Sequence, residues 1–253
     1  IGLYLHLQRK YLIVSNKLMK KIAIIGGGIS GLYFANILNN QKQFEYKIFE
    51  KKDNYNFLEG YGIQLSVNSI KLLNGIGFKN LAASEVNFPS KVNFVQANNS
   101  KKICDIDLTQ FNDPLNRYTT LKRSTLLEFL FKNVPENRIK FNSNISKIEN
   151  ANGFRITLNE NKYEEFDYLI IADGIFSKTK SLIFNEIKNP NYSLNVALRG
   201  KLTGHFGSDI SIYMGSNSHY VTYPVNQNNE HNFVAIIKKK LSSDELKNYD
   251  LFK

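Results

Sequence analysis

Apolar residues along this chain fall into two patterns, short β-type runs and the wider spacing of helices. The first run, residues 22–25, is uniformly apolar, which is typical of a strand buried on both faces. Three glycines follow it directly, and helical spacing then extends from Ser30 to Asn39. A second apolar strand is predicted at Tyr46–Phe49. This strand–turn–helix–strand order predicts a parallel α/β fold near the start of the chain.

The same patterns predict the later elements. Helical spacing predicts helices over 67–76, 123–133 and from about 177, with another beginning near 241. Alternation or apolar runs predict strands at 91–97 and 101–108 (a hairpin), 138–141, 145–149, 154–158, 168–172, 192–203, 209–214, 218–225 and 231–238. The run 168–172 is fully apolar and is expected to be buried.

Strand-rich segments interrupt the α/β frame twice, which predicts two discontinuous domains. The fold class we expect is a Rossmann-like α/β dinucleotide-binding domain interleaved with a β-rich second domain. The first would comprise residues 19–86 and 110–190, and the second residues 87–109 and 191–253. Residues 1–18 are expected to be a non-native or disordered extension with Met19 as the true start, because they lack the ordered parts of a signal peptide.

The glycines after the first strand have a characteristic spacing. Gly26, Gly28 and Gly31 occupy the three glycine positions of G-x-G-x-x-G. The first allows a tight turn, the second lets the backbone approach a pyrophosphate, and the third lets the helix pack on the strand. The helix N-terminus adds N–H groups and a positive dipole end. Cofactor binding is therefore predicted for Gly26, Gly27, Gly28, Ile29, Ser30 and Gly31.

An acidic residue lies at the position where dinucleotide-binding domains carry one. Glu50 ends the second strand, 19 residues after Gly31, close to the roughly 20 expected for the acid that binds a ribose hydroxyl. We therefore interpret this region as a dinucleotide-binding domain. The alternative, a glycine-rich turn without a nucleotide, is disfavoured because strand, helix and acid agree.

Composition narrows the class of protein further. The 253-residue chain is 42% hydrophobic, enough for a sizeable core, and contains no run of 18 apolar residues that could span a membrane. Its one cysteine, Cys104, excludes an internal disulfide and suits a reducing, cytoplasmic location. We expect a packed or incidental thiol there. The net charge of +11 comes mainly from dispersed lysines, which favours a solvated surface over nucleic-acid binding and leaves weak attraction to anionic lipid open.

No metal site is expected from the sequence. His205, His219 and His231 are single residues in strand-like segments without ligand spacing, so structural roles are favoured. Ser177 lacks the G-x-S-x-G context of a nucleophile. Catalytic side chains therefore stay unassigned.

Four further segments, in chain order, resemble those of a known enzyme family. They are Gly62-Ile63-Gln64-Leu65, Lys122-Arg123, the run Asp167–Lys180 with Asp173-Gly174 at its centre, and Tyr223-Pro224. Together with the glycine turn, they make the chain resemble the class A FAD-dependent aromatic-ring monooxygenases over residues 20–237. That family includes p-hydroxybenzoate, salicylate and ubiquinone-biosynthesis hydroxylases.

The resemblance implies a flavin site. The FAD pyrophosphate would be held by Gly26, Gly28 and Gly31, and the adenosine ribose by Glu50. Gly62 and Ile63 would lie beside the flavin, and Arg123 would contact the cofactor. Asp173 and Gly174 would border both FAD and NAD(P)H. Two simpler interpretations remain: Arg123 as an exposed helix-start residue, and Asp173-Gly174 as a turn and helix cap. The family's arginine at the end of the Asp-Gly segment is Lys180 here, so the choice between NADH and NADPH stays open.

The resemblance also implies a reaction. FAD reduced by NAD(P)H would react with O₂, and the flavin C4a-hydroperoxide would hydroxylate a small aromatic or quinone-precursor substrate. The family's further Gly-Asp motif has no counterpart before Lys253, so we expect a chain truncated at its C-terminus. Three alternatives remain: a prenyl-reductase-like FAD oxidoreductase, an NAD-dependent dehydrogenase, and an inactive partial chain.

Overall fold

The computed structural model describes residues 19–57, 61–150, 152–159, 162–184 and 191–247. The helices are α1 (Ile29–Leu38), α2 (Val67–Asn74), α3 (Arg123–Lys132), α4 (Thr179–Phe184) and α5 (Ser243–Lys247). Short 3₁₀ helices lie at Phe78–Asn80, Ala83–Glu85, Thr109–Phe111 and Glu136–Arg138.

Most strands of the described residues fall on predicted segments, but those at 62–65, 86–87, 119–122 and 163–166 were not predicted. They are β1 (Lys20–Ile25), β2 (Phe44–Phe49), β3 (Gly62–Leu65), β4 (Val86–Asn87), β5 (Lys91–Gln96), β6 (Lys102–Asp107), β7 (Thr119–Lys122), β8 (Ile139–Lys140), β9 (Ile145–Asn150), β10 (Phe154–Leu158), β11 (Tyr163–Phe166), β12 (Tyr168–Ile171), β13 (Asn195–Thr203), β14 (Ile210–Met214), β15 (Ser218–Pro224) and β16 (Glu230–Lys238). They divide between two compact units: the described residues of 1–55 and 132–189 form the first, and those of 56–131 and 190–253 form the second.

A parallel sheet lies at the centre of the first unit. Its strand order is β12-β1-β2-β8, and α1 connects β1 to β2. Residues 22–25 of β1 are at most 4% exposed, because β1 pairs with β2 on one side and β12 on the other. The predicted strand–turn–helix–strand unit is therefore confirmed.

A three-stranded antiparallel sheet completes the core of the first unit. Its order is β11-β10-β9. Ile156, Leu158 and Phe166 from this sheet pack against apolar residues of β1 and β2. The rings of Phe49 and Phe166 meet edge to face, with centroids 5.7 Å apart. This packing fixes the carboxyl end of β2, where Glu50 follows.

Strand β12 is less buried than its sequence suggests. Tyr168 and Ile171 are 50% and 37% exposed, although the apolar run 168–172 predicted complete burial. Among the described residues β12 is an edge strand that pairs only with β1. The prediction of complete burial is wrong, because an apolar run does not distinguish an interior strand from an edge strand.

The second unit is rich in β-structure. A six-stranded sheet has the order β13-β16-β15-β14-β5-β6, and a three-stranded sheet has the order β3-β7-β4. The β14–β5 pair is parallel, whereas β5 and β6 form the predicted antiparallel hairpin. Leu108, Ile210, Tyr223 and Val225 form a buried cluster in this unit.

The boundaries of the two units differ from the expected domain boundaries. Residues 56–86 and 110–131, expected in the dinucleotide-binding domain, lie in the second unit. The reason is strand pairing over long sequence distances: β7 pairs with both β3 and β4. In addition, the Thr120 hydroxyl donates a hydrogen bond to the Pro224 carbonyl at 2.6 Å. Local sequence patterns do not reveal contacts between residues so far apart in the chain.

Strand β6 is an exposed edge of the six-stranded sheet. All six of its residues are exposed, and Cys104 is one of them. Of the packed or incidental thiol that was expected, exposure excludes the packed one and leaves the incidental one. Phe94 lies opposite Cys104 on β5 and is itself only half-buried.

The remaining expectations fall at the ends of the chain. The helix expected to begin near 241 is α5, and residues 248–253 lie outside the described residues, as do residues 1–18. Within the described ranges, every helix is too short or too polar to cross a membrane.

Candidate functional site

The glycine turn between β1 and α1 has two positions, Gly26 and Gly31, where backbone atoms leave no room for a side chain. Gly26 has φ +100°, and a Cβ there would lie 2.5 Å from the Ala172 carbonyl oxygen. A Cβ on Gly31 would lie 2.0 Å from the carbonyl oxygen of Gly26. The turn therefore needs glycine at both places, and β1, α1 and the residue after β12 come into close contact there.

The middle glycine of the motif faces open space. Gly28 has an ordinary φ of −74°, and no atom lies within 4 Å of a Cβ built on it. It caps α1, whose first turn carries no acidic side chain. The first N–H groups of a helix lack partners within the helix. The turn thus presents a helix N-terminus and an approachable backbone, which suit an anionic ligand.

Glu50 lies directly beside the turn. Its carboxylate accepts the N–H of Gly27 through Oε2 at 2.7 Å and the N–H of Lys52 through Oε1 at 2.9 Å. The side chain is only 8% exposed. A carboxylate oxygen has two acceptor directions, so each oxygen retains capacity for a ligand hydroxyl. Tyr55, which sequence reasoning missed, donates its hydroxyl to the Gly27 carbonyl at 2.7 Å.

Asp173 and Gly174 lie at the carboxyl end of β12. Asp173 Cα would be 2.9 Å from a Cβ on Gly26. The Asp173 carboxylate accepts the Thr179 N–H through Oδ2 at 3.3 Å, so it does cap α4. Its Oδ1 is buried and has no hydrogen-bond partner among the described residues. Gly174 adopts φ +85° with open space around it.

The first unit therefore brings together the glycine turn, Glu50, Asp173 and Gly174. They stand at the carboxyl ends of β1, β2 and β12, the edge where open α/β sheets bind ligands. A buried acceptor without a partner is costly unless a donor reaches it. The unpartnered Asp173 Oδ1, the open approach at Gly28 and the carboxylate of Glu50 fit the hydroxyls and pyrophosphate of a dinucleotide.

Gly62, Ile63 and Arg123 lie together in the second unit. Gly62 and Ile63 begin β3, and Gly62 is in register with Lys122, the last residue of β7. Arg123 begins α3, and its backbone N–H donates to the Tyr61 carbonyl at 2.8 Å. The Arg123 side chain is exposed, which agrees with both interpretations of it.

The start of β3 is held by β16. The Gly62 N–H donates to Asn232 Oδ1 at 2.6 Å, and Asn232 is 1% exposed. Beside this contact, Lys122 forms an ion pair with Glu230, and the Lys122 ammonium lowers the pKa of the Glu230 carboxyl. Sequence reasoning missed both contacts, because no local signal links residues so far apart in the chain.

Tyrosines surround this end of β3. The Tyr118 hydroxyl donates to Gln64 Oε1 at 2.9 Å. Tyr223 is 4% exposed, and burial raises its pKa to about 12. The exposed Arg199 guanidinium lies 5.7 Å from the ring centroid of Tyr61. The group combines aromatic surface, neutral hydroxyls and one cation.

The three histidines differ in position: His231 is held by the fold, His219 lies on β15, and His205 is exposed in the loop after β13. His231 is buried, and its Nε2 lies 3.0 Å from the Gly207 carbonyl oxygen. Its ring meets Phe206 edge to face at 5.3 Å. In the part of the chain that the structure describes, His, Cys, Asp and Glu form no group of three suited to hold a metal ion.

The sequence and the fold both match known proteins. Residues 24–55 match the family of NAD(P)-binding Rossmann-like domains. The chain is 30% identical to the FAD-dependent monooxygenase subE of Metarhizium robertsii over 183 residues, covering 67% of this chain and 54% of that protein. It is 23% identical to salicylate hydroxylase of Pseudomonas putida over 248 residues, covering 89% of this chain and 56% of the relative.

Solved structures share the fold at lower identity. HpxO of Klebsiella pneumoniae, complexed with FAD and uric acid, superposes with a TM-score of 0.79 at 17% identity, over 93% of this chain and 61% of that one. A salicylate hydroxylase substrate complex gives 0.73 at 20% identity, over 90% and 60%. The protein is a Rossmann-like α/β protein with an added β-rich unit. Its relatives are FAD-dependent monooxygenases, which confirms the family resemblance, and it spans about half the length of the curated relatives that it matches.

Proposed function

We propose that this chain binds FAD and takes part in the NAD(P)H- and O₂-dependent hydroxylation of a small aromatic molecule. The observation that carries the proposal is the buried, unpartnered Oδ1 of Asp173 beside a glycine turn that is open at Gly28. A ligand hydroxyl satisfies that acceptor. The relatives named as FAD-dependent monooxygenases indicate which dinucleotide supplies it.

The site residues of the first unit have distinct physical roles in the proposal. The N-terminus of α1 attracts the pyrophosphate, and Gly28 lets it approach the backbone. Glu50 accepts the ribose hydroxyls with the lone pairs that Gly27 and Lys52 leave available. Asp173 accepts a further hydroxyl. Bound FAD supplies electron transfer from NAD(P)H and the activation of O₂.

The roles of Gly62, Ile63 and Arg123 near the cofactor are also proposals. Their shared position at one end of the β3–β7 pair supports them. Backbone groups of Gly62 and Ile63 are held in place by strand pairing, and the exposed Arg123 guanidinium suits bidentate contact with phosphate.

The substrate class that the second unit favours is an aromatic acid. Arg199 offers an exposed cation 5.7 Å from the ring centroid of Tyr61, an arrangement that suits a carboxylate attached to a ring. Two relatives are named for such compounds, salicylate hydroxylase and the 3-amino-4-hydroxybenzoate 2-monooxygenase PtmB3 of Streptomyces platensis, the latter 24% identical over 229 residues.

The experiment begins with the absorbance of the purified full-length protein from 300 to 550 nm. A flavin spectrum, with FAD released from the protein on heating, supports the proposal. Folded protein that shows no flavin, even after incubation with FAD, contradicts it. NADH and NADPH oxidation and O₂ uptake are then measured with salicylate, 4-hydroxybenzoate and phenol. Arg199→Gln should raise KM for the two acids and leave that for phenol unchanged. Lys238→Gln is the matched surface control.

A second candidate is an NAD(P)-dependent dehydrogenase. The match of residues 24–55 to NAD(P)-binding domains favours it, because that turn chemistry serves both dinucleotides. Colourless protein whose intrinsic fluorescence is quenched by NADH or NADPH would favour this candidate. A prenyl-reductase-like flavoprotein is distinguished by flavin binding without substrate-coupled O₂ consumption.

We propose a cytoplasmic location with weak attraction to anionic lipid. The single cysteine and the net charge of +11 support it. Co-sedimentation with phosphatidylserine vesicles at low and high salt tests the lipid contact, which should vanish as salt is raised.

A further inference from the structure

The peptide groups around Gly27 are held at two points by side chains of one loop. Glu50 accepts the Gly27 N–H at 2.7 Å, and the Tyr55 hydroxyl donates to the Gly27 carbonyl at 2.7 Å. Both side chains come from the segment after β2. The glycine turn is thus restrained on its donor side and on its acceptor side.

The Tyr55 hydroxyl also fills the space that a side chain at position 27 would need. A Cβ on Gly27 would lie 1.9 Å from that oxygen, 3.1 Å from Tyr55 Cζ and 3.0 Å from Glu50 Oε2. The first distance is too short for non-bonded atoms, and the other two are tight contacts. A side chain at position 27 would therefore have to displace the Tyr55 hydroxyl.

The surroundings of Tyr55 keep it in position as a donor. Its ring meets Phe141 edge to face, with centroids 5.3 Å apart. Burial and the nearby Glu50 carboxylate raise the pKa of the Tyr55 phenol, so it stays protonated at physiological pH. The loop that carries Tyr55 is attached in turn to the segment after β8, where the Asn142 N–H donates to the Lys52 carbonyl at 2.9 Å.

We propose that Tyr55 is a positioning residue for the dinucleotide. Acting through Gly27, it fixes the turn so that the N–H groups at the start of α1 point at the pyrophosphate before the ligand arrives. This role rests on the proposed binding of FAD. It also gives Glu50 a second task, because one of its oxygens orients the turn while it accepts ligand hydroxyls.

The test measures FAD affinity of the full-length protein by quenching of flavin fluorescence, alongside the thermal midpoint without ligand. Tyr55→Phe removes one hydrogen bond and should weaken FAD binding about three- to tenfold, with a small change in the ligand-free midpoint. Tyr163→Phe, at an exposed tyrosine on β11, is the matched control and should leave the affinity unchanged.

A double-mutant cycle tests the steric part. Gly27→Ala alone should abolish measurable FAD binding and lower the thermal midpoint, because the methyl group meets the Tyr55 hydroxyl. In the Tyr55→Ala background, Gly27→Ala should lower the midpoint and the FAD affinity by less than it does in the wild type.

The outcomes separate this role from the proposed function. A wild-type protein that does not bind FAD overturns the proposed function. FAD binding by the wild type with the same affinity in Tyr55→Phe overturns the positioning role alone. An effect of Gly27→Ala that is equal with and without Tyr55 overturns the steric explanation.

Discussion

Asn232 accepts the N–H of Gly62 through Oδ1 at 2.6 Å. A side chain of β16 therefore holds the first residue of β3, and the six-stranded sheet fixes the start of the three-stranded one. The other end of the Asn232 amide, Nδ2, is buried without a hydrogen-bond partner among the described residues.

We expect Asn232→Ala to reduce the free energy of unfolding by about 1–2 kcal/mol. The Gly62 N–H loses its acceptor in a buried place, and removal of the unpartnered Nδ2 offsets part of that loss. Urea unfolding of the ligand-free protein measures the effect. Asn98→Ala, in the exposed hairpin turn between β5 and β6, is the control, and equal stability of the two variants would contradict the prediction.

Gly62→Ala should be destabilising by about 1–3 kcal/mol, because overpacking a filled site forces its neighbours apart. The new Cβ would lie 2.5 Å from Asn232 Cβ and 2.7 Å from Tyr223 Cε2. Gly200→Ala provides a comparison within the same unit, since its nearest neighbour is Phe233 Cδ1 at 4.0 Å. Thermal or urea unfolding should show a loss for Gly62→Ala and little change for Gly200→Ala.

Gly28→Ala should separate ligand affinity from stability. Its φ of −74° and the open space around it accept a methyl group, so the ligand-free stability should change by less than about 0.5 kcal/mol. In the proposed FAD complex the methyl group would stand where the pyrophosphate approaches, so FAD affinity should fall at least about tenfold.

Gly31→Ala is the variant to compare with Gly28→Ala. Its Cβ would lie 2.0 Å from the Gly26 carbonyl oxygen, so the ligand-free protein itself should be destabilised. Fluorescence titration and urea unfolding of both variants check this contrast. A Gly28→Ala protein that binds FAD like the wild type would contradict the expected approach of the ligand.

Tyr223 should make the free energy of unfolding depend on pH in the alkaline range. Burial raises its pKa from 10.0 to about 12, so between these values the unfolded chain loses a proton that the folded protein retains. The stability that Tyr223 contributes is therefore fully present below pH 10 and is lost as pH rises towards 12. Compared with Tyr223→Phe, the wild type should lose on the order of 2 kcal/mol more between pH 9 and pH 12, as measured by urea unfolding. Equal losses in the two proteins would exclude this assignment.

The sequence predicts most strands and the glycine turn because their signals are local. The uniform apolar run of β1, the spacing of Gly26, Gly28 and Gly31, and the acid at position 50 all lie within one strand–turn–helix–strand unit. The hairpin of β5 and β6 is likewise encoded by neighbouring residues.

Contacts between distant segments could not be predicted in this way. Tyr55 lies in a polar loop with no motif to mark it, and its importance depends on where the chain turns after β2. Asn232 and Gly62 are separated by 170 positions. The edge position of β12 and the grouping of residues 56–86 with the second unit also follow from pairing partners, which single-sequence patterns do not identify.

The exposed edge strand β6 makes the protein convenient for chemical labelling. Cys104 is the only cysteine in the sequence and is exposed on that strand. A maleimide dye will therefore attach to the folded protein at one known position, without an engineered cysteine or a cysteine-free background. A fluorophore placed there gives an optical signal from the β-rich unit that is independent of flavin absorbance.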